Sequence, residues 1–205
     1  MARNYVHTLF SDAARAMQEI DGSREAYARM EADADGIPDQ LTVREAEFIE
    51  ARDSFYMATV TPDGWPYVQH RGGPAGFLKL IGGNRLGFAD YRGNRQHVTT
   101  TNLAAEPRLS LFLVDYPNRR RLKILGRGSV VFAKDDPALL AALMPQGYGA
   151  VGERAYVVDV IGFDWNCPQH ITPRFSEPEF AASIRPLADE NARLRAELAL
   201  LRSKP

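Results

Sequence analysis

The chain has very little cysteine and almost no net charge. Its 205 residues include one cysteine, Cys167, which excludes an intramolecular disulfide and a cysteine-based zinc site within one chain. Lys and Arg total 25 and Asp and Glu total 26, so net charge gives no support to a nucleic-acid or membrane-surface role. Any anion-binding site must therefore be a local cluster of basic residues.

Long apolar runs are also absent. No window approaches about 18 uninterrupted apolar residues, the length that a membrane-spanning helix needs. Residues 1–15 lack the apolar core of a signal peptide and reach the acidic Asp12 early. We therefore expect a cytoplasmic protein with no membrane partner.

Familiar metal-binding and catalytic motifs are missing as well. The 4 histidines are scattered and show no metal-binding spacing such as HExxH, so we expect no metal site. The sequence has no Walker-type phosphate loop, no GxGxxG after a predicted strand, and no GxSxG. The order of secondary-structure elements and local polar clusters are therefore the main guides to function.

The N-terminal part has the patterns and caps of short helices. One helix is predicted at 11–22 and another at 23–36, each with a serine N-cap and a closing glycine. A third opens with a capping box, in which Thr42 is the N-cap and Glu45 follows three residues later. We expect residues 1–52 to form an N-terminal helical extension.

The composition then changes to short β-rich runs separated by turn residues. Hairpin turns are predicted at 62–64, with the sequence Pro-Asp-Gly, and at 82–84, with the sequence Gly-Gly-Asn. About six strands with few long connections imply antiparallel pairing, and a closed or nearly closed barrel is the usual way for such a chain to remove its sheet edges. The sequence therefore predicts an α+β protein with a six-stranded antiparallel barrel over 53–175.

Residues 176–205 are predicted to form a C-terminal helix with a heptad seam. Leucines occupy the seam together with Asn191 at an a position, while glutamates fall at g and arginines at e. This pattern is typical of a short parallel coiled coil, and an amphipathic helix lying on its own barrel is the alternative. The seam residues are Leu187, Asn191, Leu194, Leu198 and Leu201.

Three clusters of basic and amide side chains follow predicted strands. Guanidinium groups suit phosphate because they offer planar forks of N–H donors. One such cluster alone is more often an exposed turn than a ligand site, but three in a neutral protein predict a local positive pocket. The clusters are Gln69, His70 and Arg71; Arg92, Asn94, Arg95 and Gln96; and Arg119, Arg120 and Arg121.

From Phe55 to Val131 the order of elements resembles the pyridoxamine phosphate oxidase-like family of flavin-binding split barrels. The stretch ATVTPDGWPYVQ matches the family's opening strand–turn–strand. Asn94-Arg95-Gln96 stands where the family has Ser-Arg-Lys, and Glu106-Pro107 stands where it has Asn-Pro. Arg121 falls where a flavin-contacting glutamine is common.

The resemblance implies an FMN-dependent oxidoreductase built as a homodimeric split barrel, with FMN at the subunit interface and a small-molecule substrate. Arg71, Arg95 and its neighbours would hold the phosphate, and Arg121 would reach flavin bound mainly by the other subunit. The full set of expected cofactor contacts is Gln69, His70, Arg71, Asp90, Asn94, Arg95, Gln96 and Arg121.

The chain departs from the family at its C-terminal end. The Arg-x-His substrate motif and the tryptophan region of the oxidase are absent, which argues against vitamin B6 oxidation. A proline-bracketed loop contains His170 and Arg174, which are candidates for substrate or cofactor contact, or else parts of a rigid surface loop. The missing motif keeps open a non-catalytic flavin- or tetrapyrrole-binding carrier or sensor. A deazaflavin-dependent reductase is a further alternative, because the resemblance implies a barrel type that accepts either cofactor through similar phosphate contacts.

Overall fold

The computed structural model describes residues 3–32, 36–165 and 167–202, which form helices and one sheet. The strands are Ser54–Val60 (β1), Pro66–Gly72 (β2), Lys79–Leu80 (β3), Arg85–Tyr91 (β4), Arg108–Asp115 (β5), Arg120–Phe132 (β6) and Gly152–Trp165 (β7). The helices are Arg3–Leu9 (α1), Asp12–Asp21 (α2), Arg24–Ala32 (α3), Val43–Glu50 (α4), Val98–Ala105 (α5), Pro137–Leu143 (α6) and Glu177–Arg202 (α7).

Within these residues, the strands pair antiparallel in the order β2-β1-β5-β6-β7-β4-β3. The predicted α+β class, an antiparallel sheet with helices, is confirmed. The predicted number of six strands is wrong: the sheet has 7, because the two-residue β3 pairs with β4 across the turn at 82–84. The described part of the sheet is also not closed, since β2 and β3 end the ladder without pairing with each other.

The open sheet is curled around an aromatic core. Phe55 on β1 packs against Phe77 and Phe88, with ring centroids 5.5 and 5.2 Å away, and Phe88 on β4 stacks on Tyr156 of β7 at 5.2 Å. Three strands separate β1 from β4 in the ladder, yet their side chains meet in this core. The curl therefore brings the inner faces of β2 and β4 to opposite sides of a gap.

The predicted helix caps of the N-terminal extension are confirmed for α2 and α4. Ser11 caps α2 through its hydroxyl, and Gly22 ends that helix with a φ of 78°. In α4, the Thr42 N–H donates to the Glu45 carboxylate at 3.0 Å, which is half of the predicted capping box. The predicted helix at 23–36 is observed as α3, and residues 33–35 of that prediction lie outside the described residues.

Two polar side chains fasten the N-terminal extension to the sheet. The Asp39 carboxylate accepts from the Tyr5 N–H at 3.1 Å and from the Phe163 N–H at 3.2 Å, and so joins α1 to β7. Asn84, in the left-handed region with a φ of 60°, accepts from the Leu41 N–H at 2.9 Å. The turn between β3 and β4 thus fixes the segment that leads into α4.

The chain divides into two compact units. The first comprises Met1–Asp115 and Arg120–Pro168 and contains the sheet with α1 to α6; the second comprises Tyr116–Arg119 and Gln169–Pro205 and contains α7. The domain boundaries expected after residues 52 and 175 stay a prediction. Across the described chain, we find no helix with the length and apolarity to cross a membrane.

Candidate anion-binding site

A polar cavity of about 210 Å³ lies between β2, β4, β7 and the start of α5. It brings together two of the three polar clusters, those of β2 and of the loop after β4. Their role in ligand binding stays a prediction. The expected cofactor contacts that line the cavity are Gln69, Arg71, Asp90, Asn94, Arg95 and Gln96.

β2 supplies one wall, because alternate residues of a strand face opposite sides. Gln69 and Arg71 are half-buried in the cavity, and the Gln69 side-chain oxygen accepts from the Thr99 hydroxyl at 2.9 Å. His70 lies on the opposite face, exposed, with its ring 5.6 Å from that of Tyr56. His70 is therefore not in the cavity formed by one chain.

The loop between β4 and α5 has an unusual backbone. Arg95 and His97 each have a φ of 57°, and the Gln96 N–H donates to the Asn94 side-chain oxygen at 3.2 Å. Left-handed backbone at residues other than glycine costs energy and is concentrated at functional sites. α5 begins at Val98, and no described side chain caps its N-terminus. Its first N–H groups therefore add partial positive charge to the cavity wall.

Asp90 contacts one arginine across the gap and another on the neighbouring strand. Its carboxylate accepts from Arg71 Nη1 at 2.7 Å, and its other oxygen lies 3.3 Å from Nε of Arg154, the residue directly opposite on β7. The Arg71 guanidinium lies over the Tyr156 ring, 5.1 Å from its centroid. Burial raises the pKa of Asp90, and the two arginines oppose that shift. The arginines therefore keep a carboxylate in a place where burial disfavours its charge.

Glu153 forms the second junction of this charge network. One carboxylate oxygen accepts from Arg95 at 2.9 Å and from Arg92 at 3.0 Å, and the other accepts from Arg154 at 3.0 Å. The Arg95 hydrogen bond, followed by that of Arg92, lowers the pKa of Glu153 to about 2. Arg92 and Arg95 are both 55% exposed, but only Arg95 lines the cavity. Glu153 thus occupies guanidinium donors that a bound anion could use.

Three buried donors in the cavity wall lack a hydrogen-bond partner among the described residues: Nε of Arg71, the Tyr91 hydroxyl, and Nε of Arg154, which makes only the 3.3 Å ionic contact with Asp90. An unsatisfied buried donor costs about 1–3 kcal/mol, so such groups call for an explanation. Arg154 Nη1 lies 3.1 Å from Nδ1 of His97 and 3.1 Å from the Thr100 hydroxyl. Because an arginine nitrogen only donates, His97 accepts at Nδ1 and a neutral ring carries its proton on Nε2. The wall therefore offers an excess of donors, which suits an anion.

The other predicted residues lie outside this cavity. Arg121 is on the outer face of β6, next to the fully buried Leu122. His170 and Arg174 belong to the second unit; His170 is exposed, and the Arg174 guanidinium lies over the Tyr116 ring, 5.0 Å from its centroid. The expected ligand contacts of these residues stay predictions.

Sequence reasoning missed Glu153 and Arg154. They begin the long strand β7 without a turn motif or a basic cluster. Only the β4–β7 register sets Arg154 opposite Asp90, and that register joins residues more than sixty positions apart. The one available signal is an Arg and a Glu directly before a buried apolar run, where charged residues are rare unless paired.

Fold and cavity together define a split antiparallel sheet with an arginine-rich polar cavity at the gap. The chain belongs to the pyridoxamine 5′-phosphate oxidase family, whose sequence model matches residues 41–160. No curated protein matches the chain.

Several solved structures resemble the chain at low identity. HupZ of Group A Streptococcus is 14% identical, with a TM-score of 0.48, and the match covers 66% of this chain and 100% of that one. General Stress Protein 26 from Bacillus anthracis is 14% identical, with a TM-score of 0.45, covering 63% and 92%. An FMN-binding protein from Syntrophomonas wolfei is 10% identical, with a TM-score of 0.45, covering 73% and 97%. The family assignment rests on the sequence model.

Proposed function

We propose that the chain is an FMN-binding oxidoreductase whose cavity takes the cofactor's phosphate. One observation carries this proposal: Arg71, Arg95 and the uncapped start of α5 come from separate elements and meet in one cavity. A phosphate monoester accepts hydrogen bonds from guanidinium forks and from helix N-terminal N–H groups. The buried Nε of Arg71, which lacks a partner among the described residues, fits the same ligand.

The cavity fits one end of FMN rather than the whole cofactor. Its volume of about 210 Å³ is below the roughly 300–1,000 Å³ of pockets that hold drug-sized ligands. Its wall is polar, whereas an isoalloxazine ring needs an apolar surface. We therefore infer that the ring lies outside this cavity and that a second subunit completes its binding site.

The outer face of the sheet supports a homodimer. The β1–β2 hairpin exposes an apolar surface that includes Tyr56 at 40%, Val68 at 60% and, in the turn, Trp65 at 73%. Exposed apolar patches of this kind mark interaction surfaces. Arg121 lies on the outer face of β6, two strands away, and its Nε is buried without a described partner. In a homodimer that buries this face, Arg121 would contact flavin held mainly by the other subunit.

Bound FMN would supply hydride transfer to or from a small-molecule substrate, so the chain itself must bind, orient and shield. In this proposal Arg71 and Arg95 hold the phosphate, and Gln69 and Asn94 add neutral hydrogen bonds. His97 offers its Nε2–H to an anion while Arg154 fixes the other ring nitrogen. His170 and Arg174 remain our candidates for substrate contact.

Arg92 and Arg95 provide a matched test, because both bond to the same Glu153 oxygen and both are 55% exposed. Only Arg95 lines the cavity. Arg95→Ala should weaken FMN binding about tenfold, the lower end of the 1.5–3 kcal/mol for a charged hydrogen bond, because the side chain is half in solvent. Arg92→Ala should change affinity less than about threefold.

The measurement is quenching of flavin fluorescence during titration of each protein into FMN. Equal losses of FMN affinity in the two variants would mean that the effect comes from the ion pairs with Glu153. Arg95 would then not be part of the binding site. A wild-type protein that binds no FMN would refute the proposal, and binding of a deazaflavin alone would reassign the cofactor.

Turnover needs a separate measurement. Flavin-loaded protein is mixed with NADH or NADPH without oxygen, and the flavin absorbance is followed before and after candidate acceptors are added. Bleaching and recovery support an oxidoreductase. If the flavin absorbance does not change with any donor or acceptor, the protein is a carrier or sensor instead.

A further inference from the structure

α7 presents an exposed apolar stripe longer than the sequence motif alone indicates. The helix begins at Glu177, so the heptad spacing extends backward from Leu187 to Ile184 and Phe180, which are 41% and 56% exposed. Leu187 is 72% exposed and Leu201 is 64% exposed. The complete stripe is Phe180, Ile184, Leu187, Asn191, Leu194, Leu198 and Leu201.

The stripe follows one side of a long helix. At 1.5 Å per residue, the 26 residues of α7 span roughly 39 Å. Pro186 lies inside the helix, but at a c position, so its ring is on the side away from the stripe. With Asn191 as its one polar member, the stripe keeps an a/d spacing over three heptads, which is the pattern of a coiled-coil seam.

We propose that α7 pairs with α7 of a second copy as a parallel, in-register coiled coil. Seven exposed residues at a and d positions call for an apolar partner surface with the same spacing, and a second copy supplies it. Asn191 at an a position then meets its own counterpart, an arrangement that favours two parallel strands in one register. The pairing is independent of the cavity and of any cofactor.

The flanking charges select the parallel orientation. Glu190 and Glu197 occupy g positions, and Arg195 and Arg202 occupy the e positions five residues later. In a parallel pair each g residue faces the next e residue of the partner, so every such contact joins glutamate to arginine. In an antiparallel pair g positions face g positions, which sets glutamates together and costs energy. Glu190 also accepts a hydrogen bond from Arg193 of its own helix. That hydrogen bond is exposed and contributes little, so it does not prevent Glu190 from pairing with arginine of the second copy.

Spin labels on the full chain test the pairing directly. Cys167, the only cysteine, is first replaced by serine, and a labelled cysteine is then placed at Ala182 or at Ala196, both outward-facing f positions. A parallel in-register pair gives the same short inter-chain distance at both sites. An antiparallel pair centred on Asn191 would separate the Ala182 labels by roughly 27 Å along the axis, from 1.5 Å per residue.

Two neighbouring substitutions complete the test. Leu198→Glu introduces a charge into the seam and should abolish the short distance at both labelled sites. Ala199→Glu adds the same charge at the adjacent exposed b position and should leave both distances unchanged. The proposal is overturned if the parent protein shows no inter-chain distance between labels, or if the distances at the two labelled sites differ. It is also overturned if the two substitutions change these distances equally. A dimer formed only through the sheet would show no short inter-chain distance between the α7 labels.

Discussion

Arg154 holds the two carboxylates of the charge network, so its removal should destabilise the fold as well as the cavity. Its side chain is 8% exposed and lies 3.0 Å from Glu153 and 3.3 Å from Asp90. Removing one partner of a buried ion pair costs about 3–5 kcal/mol, because the other charge is left uncompensated. In the variant, Asp90 still pairs with Arg71, and Glu153 still pairs with Arg95. We therefore expect Arg154→Met to cost about 3 kcal/mol, the lower end of that range.

The assays are urea unfolding and thermal unfolding, each followed by circular dichroism and tryptophan fluorescence. A loss of about 3 kcal/mol corresponds to a fall in Tm of about 6–12 °C for a chain of this size. The m value should stay unchanged, since the unfolded chain exposes the same surface. Arg127→Met, at an exposed position of β6, is the control and should stay within about 0.5 kcal/mol of wild type. A loss below about 1 kcal/mol for Arg154→Met would refute the view that this residue holds buried charges in place.

Two further predictions concern carboxylates whose pKa is lowered by arginine. Glu153→Gln removes the charge that holds Arg95, so affinity for FMN should rise in the same fluorescence titration; a weaker affinity would mean that Glu153 positions Arg95 instead of competing for it. Arg108 donates three hydrogen bonds to Glu106 and lowers its pKa from 4.5 to about 2, so this carboxylate stabilises the fold above pH 4.5 and loses that effect as pH falls toward 2. Glu106→Gln should therefore flatten the dependence of unfolding free energy on pH across that window, and an unchanged slope in acid-unfolding curves would contradict the assignment.

Local chemistry made much of the fold predictable. The Pro-Asp-Gly turn at 62–64 joins β1 and β2 as expected, and Gly64 has a φ of 87°, which glycine adopts without strain. The serine and glycine caps of α2 were equally predictable, because a cap depends on residues within one turn of the helix end. These features depend only on neighbours in sequence, so they can be predicted from the sequence alone.

Contacts between distant elements were only partly predictable. Alternation along β2 sets Gln69 and Arg71 on one face, and a resemblance to a known family associated them with Arg95. The partners of these residues depend on strand register, which single sequences do not define. The pairing of Asp90 with Arg154 therefore emerged only from the structure. The strand number was wrong for a related reason: β3 pairs through only two residues, too few for a periodic signal.

The split in the sheet lies beside both a cluster of aromatic rings and a set of paired charges. After β2 the chain turns at Gly73, whose missing side chain leaves room for the Phe77 ring; a Cβ there would lie 2.8 Å from that ring. Phe77 packs against Phe55 and Phe88, which also contact each other, so three aromatic rings fill the space between β1 and β4. Without backbone hydrogen bonds across the gap, facing side chains must complete the contact, and Arg71 meets Asp90 at 2.7 Å. The gap beside these rings is lined by paired charges and leaves room for the cavity, whereas a continuous ladder would have closed it.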